Sequence, residues 1–459
     1  MAERGSVKSS SRSSGGRALR QFAAGLLASV AMFSTAAAQS FLRDAEIERT
    51  LREYSDPIFE AAGLAPESVE IYLIGDPSLN AFVAVGLKMF IFTGLIDAAD
   101  RPNQIIGVIA HETGHMTGGH LARSDEAIAR ASRPILLSLA LGLGAIAAGA
   151  PEAGIGILGL GQSAAQATYL RYSRGQEASA DQAAITFLDA TGQSSKGLLE
   201  FFEKLRNLQV ISGYRINPYL QTHPLASQRV TALTLRAERS PFWNKPDDPA
   251  EIEQLHLIQA KIRGFLQEPN VTLRQYPLSD QSDAADYARS VAWYRASQLD
   301  KALPAIEGLI ERHPDNPFFY ELKGQMLFEH GEVEAAIAPH RRSTELAPIE
   351  PLLKVNLARA MIATEDKTRA RDAITQLRAA TRIEPTNGFA WAEMARAYDM
   401  IGEETLSYLA TAEARYAYGA YGDAVRFARR AQQGLERGTP EFRQATDILA
   451  AATAKAGPQ

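Results

Sequence analysis

The stretch Ile105–Arg123 reads I-I-G-V-I-A-H-E-T-G-H-M-T-G-G-H-L-A-R and carries His111, Glu112 and His115 at its centre. Asp100 is placed to cap a helix here and Pro102 suits its first turn, while Ile105, Ile106, Val108 and Ile109 recur at a spacing that buries one side. Residues four apart on a helix share a face, so the imidazoles of His111 and His115 converge on one metal ion. Glu112 then projects beside them, placed to act on a water that the metal activates. With 8 His in 459 residues, chance matches to H-E-x-x-H number on the order of 0.01 per chain. The pattern therefore points to a zinc hydrolase. His120 follows nine residues after His111, about 180° round the axis of a continuing helix, and is expected to face away from the site.

The third ligand is sought downstream. Glu177 and Asp181 are four apart in a helical stretch where Ala178, Ala180 and Ala184 allow close approach of another helix. Glu177 is the expected ligand, and Asp181 the carboxylate that orients a ligand imidazole. Zero Cys excludes disulfides and thiolate ligands, so one zinc per chain must be held by His and carboxylate.

Residues 1–20 carry five basic side chains against Glu3, the apolar run Phe22–Phe33 follows, and Ala36-Ala37-Ala38 suits cleavage by a signal peptidase. The reading is a cleaved secretory leader, 1–38, and a secreted, periplasmic mature chain. A formal net charge of −5 with no basic run in the mature chain gives no sign of nucleic-acid binding. The mature length suggests two domains. Residues 41–63 form an amphipathic helix, and Val69–Ile74, Asn80–Ala84 and Lys88–Thr93 read as three strands of a small antiparallel sheet whose edge suits an extended peptide. From Ile135 to Ala150 no residue is charged, and the uncharged character resumes after Glu152 until Arg171. This apolar stretch, 135–160, is short for a span and is read as core packing or peripheral contact with a membrane surface.

These motifs resemble the HtpX-like and CAAX-prenyl-protease-like zinc endopeptidases, in which a helix bearing H-E-x-x-H is followed by one bearing E-x-x-x-D. The resemblance covers about residues 40–240 and includes Asn80-Ala-Phe82, Gly94-Leu95 and Ser173-Arg174. It implies zinc on His111, His115 and Glu177, Glu112 as the base, and Asp181 as support for a histidine. It also draws attention to Thr222-His223-Pro224, with Arg229 following. His223 is then either a fourth ligand that blocks the metal at rest or a group that stabilises the oxyanion.

Residues 241–284 read as a linker with a helix at 250–266. Beyond it Pro314, Pro348 and Pro385 stand 34 and 37 apart. Tyr320 and Trp391 follow the first and third proline by six residues, and Gly324 and Ala395 take a small position four residues later. This grammar, from 285 to 459, resembles the tetratricopeptide repeat in about four copies. His256, His313, His330 and His340 stand apart in this half and read as surface residues.

The expected fold is mainly α, as α+β: a zincin-type metalloprotease domain over 39–240 with a small sheet, then an α-α repeat superhelix. The expected function is a zinc endopeptidase; the resemblance implies that it acts on misfolded or stalled exported and outer-membrane proteins, its repeats engaging substrate or the outer-membrane assembly machinery. The alternative is a chaperone or adaptor with latent proteolysis.

Overall fold

The computed structural model describes residues 41–84, 86–120, 137, 173–212, 218–225 and 227–456. The leader and all of the apolar stretch but Leu137 lie outside these residues. No helix among the described residues is long and apolar enough to cross a membrane.

Helix α1, Ala45–Ala61, starts where the Asp44 carboxylate accepts the Ile47 amide, and its buried stripe is Ile47, Leu51, Tyr54, Ile58 and Phe59. Burial of such a side chain is worth about 1.5–3 kcal/mol. Three strands follow, β1 Glu70–Ile74, β2 Ala81–Ala84 and β3 Lys88–Phe92. The sheet is mixed rather than antiparallel. β2 and β3 make an antiparallel hairpin, but β3 inserts between β2 and β1 and runs parallel to β1. Two reversals restore the original direction, so the third strand can only lie parallel to the first. Alternation puts Leu73, Ala81, Val83, Met89 and Ile91 into the core.

After the short helix α2, Thr93–Ala98, comes α3, Pro102–Thr117, which is buried from Pro102 to His115 on every side. Asp100 is not its cap. The first turn is served from far away: the Asn103 amide donates to Asp247 Oδ1 at 2.8 Å, and the Asn103 side chain accepts the Gly197 amide at 2.9 Å. A helix over 173–190, here α4, carries Glu177 and Asp181. It is followed by α5 Lys196–Ser212, α6 Pro218–Thr222 and α7 Ser227–Ala237.

The stretch read as a linker holds α8, Pro249–Leu266, a buried helix shared by two cores. Leu255, Ile258 and Ile262 join the core of α1, α3 and the sheet, whereas Leu257 and Ala260 join that of Tyr287, Val291 and Phe319. Its buried Lys261 pairs with Asp44 at 2.8 Å, Glu46 at 3.2 Å and Glu321 at 3.5 Å. A helix apolar on two sides cannot be a solvated connection.

Helix pairs then begin at residues 283, 317, 351, 388 and 421, making five pairs where four were expected. The last pair, Tyr421–Gly434 and Pro440–Ala456, lacks the proline and aromatic signature and packs through small residues, Ala424, Ala428, Ala431 and Ala445. These pairs are the tetratricopeptide repeats. His340 is not on the surface: it is buried against Gly324, where an added Cβ would meet its ring at 2.7 Å. The small position is thus the space a histidine fills.

Because α8 completes the first repeat core, a fragment 249–459 is expected to fold and melt cooperatively. Fragment 285–459 uncovers Tyr287, Ala288 and Val291, and is expected to melt at least about 5 °C lower or to aggregate. Equal melting of the two by circular dichroism would show that α8 belongs to the first half alone.

Candidate metal centre

His111 and His115 leave α3 on one face, with Nε2 atoms 3.2 Å apart. Glu177 on α4 faces both, its oxygens 3.5 Å from His111 Nε2 and 3.4 Å from His115 Nε2. His223, just after α6, brings Nδ1 to 3.4 Å from His111 Nε2 and 3.1 Å from Glu177 Oε1. All four groups are buried, and one ligand atom of each lies within 4.8 Å of the others. Ligands about 2.0–2.1 Å from a tetrahedral zinc stand about 3.3–3.4 Å from one another. The separations just given, with either oxygen of Glu177 serving as its donor, are close to that spacing, and the donor set of three imidazoles and a carboxylate suits a borderline-soft divalent ion. The residues present fit the metal that the motif implies.

Two contacts fix the imidazoles from behind. His111 Nδ1 lies 3.0 Å from Asp181 Oδ1, which turns Nε2 towards the cluster. His115 Nδ1 lies 3.0 Å from His120 Nδ1. His120 therefore does not face away. The helix ends at Thr117, Gly119 takes a left-handed φ of 61°, and the chain turns back so that the His120 ring meets His115. The assumption of a continuing helix failed at Gly118-Gly119.

Arg229 on α7 is the residue that sequence reasoning named without giving it a task. Its Nε and Nη2 donate to the two oxygens of Asp181 at 2.6 and 2.8 Å, and Nη1 reaches Glu177 Oε2 at 2.7 Å. Phe202 lies under the guanidinium at 5.0 Å and edge-on to His111. Burial opposes ionisation of Asp181, but Arg229 and His111 outweigh it and hold the carboxyl below its usual range. Burial likewise opposes charge on Glu177, yet His111 and His223 hold its pKa well down. His115 is pushed down to about 2 by burial and by the neighbouring His111, so it presents a neutral ring, as a ligand must. Glu112 is fully buried, and burial raises its pKa. Its Oε1 lies 3.5 Å from His223 Nε2, so His223 stands between the base and the ligand cluster. Tyr219 stacks on the His223 ring at 4.5 Å and holds it there.

Close approach of α3 and α4 depends on Gly114, since a Cβ there would lie 2.7 Å from the Ala180 carbonyl oxygen. Gly114→Ala is expected to push α4 away, carry Glu177 off the cluster and weaken zinc binding by at least about tenfold, read by competition with a chromogenic chelator. Unchanged affinity would mean that Glu177 does not hold the metal.

Residues 42–237 match the family model described as peptidase family M48. These residues form a peptidase family M48 domain. The chain is 27% identical over 401 residues, 85% of this chain and 81% of the relative, to a Vibrio cholerae protein whose description includes the words beta-barrel assembly-enhancing protease. It is 27% identical over 300 residues to the beta-barrel assembly-enhancing protease of Yersinia pestis. It is 26% identical over 298 residues to that of Escherichia coli. In each of these two cases the match covers 63% of this chain and 60% of the relative. An M48 domain followed by tetratricopeptide repeats is the organisation of this chain.

Proposed function

We propose that this chain is a zinc-dependent endopeptidase whose repeats bring unfolded or stalled outer-membrane proteins, or the machinery that assembles them, to the M48 domain. The observation that carries the chemistry is the buried cluster of His111, His115, Glu177 and His223 with Glu112 one residue from the first of them. The leader read at 1–38 supports export and a periplasmic location, and the relatives' names support the substrate class.

His111, His115 and Glu177 would hold a zinc ion, which would supply Lewis acidity towards a water and the scissile carbonyl. The protein's own groups do the rest. Glu112, ionised once its pocket admits water, accepts a proton at a carboxylate oxygen and delivers it to the departing amine. Asp181 and Arg229 keep His111 aimed, and His120 keeps His115 aimed. Peptide enters along β2, the outermost strand of the sheet among the described residues. The test is zinc content and casein cleavage by the purified protein; absence of both would overturn the reading.

One observation favours restraint at rest. His223 Nδ1 occupies the fourth corner of the ligand set, so catalysis waits until the segment after α6 moves. This supports the alternative of a chaperone or adaptor with latent proteolysis as the resting form of the same protein. His223→Ala is expected to raise basal casein and self-cleavage about threefold or more while keeping one zinc per chain. A fall in turnover of about tenfold or more with unchanged substrate binding would instead make His223 an oxyanion stabiliser.

A further inference from the structure

A cavity of about 430 Å³ opens at the seam between the M48 domain and the repeats, away from the ligand cluster. On its M48 side Leu42, Ile47 and Leu73 form an apolar patch beside Arg43 and Asp44, and Ile262 and Phe265 of α8 continue the patch. Its repeat wall is polar, formed by Glu321, Gln325, His340, Asn356 and Arg359. The volume lies within the range of small-ligand sites, roughly 300–1,000 Å³.

Most of the charged lining is already committed. Asp44 and Glu321 pair with Lys261, and Glu321 also accepts from Asn356. Arg43 pairs with Glu48 and Glu384. Glu329 accepts from Tyr294 and Gln325. Arg359 differs: it has no carboxylate partner among the described residues and is held between the rings of Phe328 and Phe389, at 5.0 and 5.2 Å. Stacking on two rings fixes the plane of a guanidinium and leaves its N–H edge free for a planar anion. His340 lines the same cavity, 3% exposed, with Nδ1 lacking any hydrogen-bond partner. Burial and the charge of Arg359 push its pKa down to about 4, so it offers a neutral ring. A buried ring nitrogen left unpaired is unfavourable, and a bound polar group would satisfy it.

We propose that this seam cavity binds the C-terminal end of a polypeptide whose last side chain is large and apolar. The terminal carboxylate lies on the fork of Arg359, the last side chain lies against the apolar patch, and His340 Nδ1 meets the terminal peptide group. The observation favouring a chain end is the pairing of one uncommitted planar cation with an apolar patch across the same cavity. An internal acidic residue would bring a carboxylate without the adjoining apolar group. Because the cavity touches both α1 and the repeats, an end bound there positions the preceding chain between the two halves. The inference stands apart from the proteolytic reading, since it concerns binding alone.

The test uses the full chain carrying Glu112→Gln, so that no probe is cut. Fluorescein-labelled Gly-Ser-Gly-Ser-Gly-Ser-Leu-Phe is titrated as the free acid, as the C-terminal amide, and with its last Phe replaced by Ser, with palmitate as a separate competitor. The free acid is expected to bind at least about tenfold tighter than the amide and the Ser-ended peptide. Arg359→Gln should erase the acid-to-amide difference while the melting curve stays unchanged. Should that variant misfold, Arg359→Lys serves, and is expected to shrink the difference without abolishing it. Equal binding of acid and amide overturns the proposal, as does a difference that keeps its full wild-type size in Arg359→Gln or, should that variant misfold, in Arg359→Lys. Displacement of nothing by the peptide while palmitate binds at the seam also overturns it, because the site would then be one for a free fatty acid.

Discussion

Glu112→Gln is expected to keep its zinc and lose proteolysis by at least about a hundredfold. The amide is nearly isosteric, so the fully buried side chain retains its packing and the four ligand atoms stay where they are. What disappears is the group that accepts a proton from water and passes it to the leaving amine, a role worth about 10²–10⁴ in rate. Metal content by atomic emission and casein turnover, measured on one preparation, separate the two properties. A variant that cuts at the wild-type rate would remove Glu112 from the chemistry. One that has lost its zinc would make Glu112 a structural support of α3 instead.

The second large effect is expected at Arg229. Its guanidinium is nearly inaccessible and bridges the two carboxylates of α4, bidentate on Asp181 and through a single contact on Glu177. Arg229→Ala leaves two buried negative charges facing each other. Loss of one partner from such a buried pair costs on the order of 3–5 kcal/mol, and it also frees Asp181 from its fixed orientation behind His111. A clearly lower melting temperature is expected together with zinc binding weakened by about ten- to a hundredfold. Arg229→Lys restores charge without the fork, and is expected to recover stability more than metal affinity. If Arg229→Ala binds zinc and melts as the wild type does, the guanidinium does not order this site.

The two His of α3 and the Glu–Asp pair of α4 were legible because each relation lies within one helix. A spacing of four residues brings side chains to the same face whatever surrounds the helix. The period of the repeats was legible for a related reason: each helix pair repeats the packing of the one before, so its small and aromatic positions recur at nearly fixed distance. The fifth pair is not marked by a proline three residues ahead of it, as the second, third and fourth are, although Tyr421 and Phe427 still pack against its alanine core. His120 was misplaced because one left-handed residue, Gly119, ended a helix that the pattern allowed to continue.

By itself, then, the sequence determined the class of chemistry, the residues able to perform it and the mainly helical two-part architecture. Tertiary structure alone decided which distant groups meet. His223 reaches Glu177 across 46 positions, Arg229 reaches Asp181 across 48, and Asp247 serves the start of the catalytic helix across 144. It also decided that α8 belongs to two cores, that β3 runs parallel to β1, and that His340 is buried over Gly324. The physical reason is one of range. Backbone geometry imposes a period on neighbours within an element, whereas contacts between elements are selected by the packing of the whole core, which leaves no period along the chain to read.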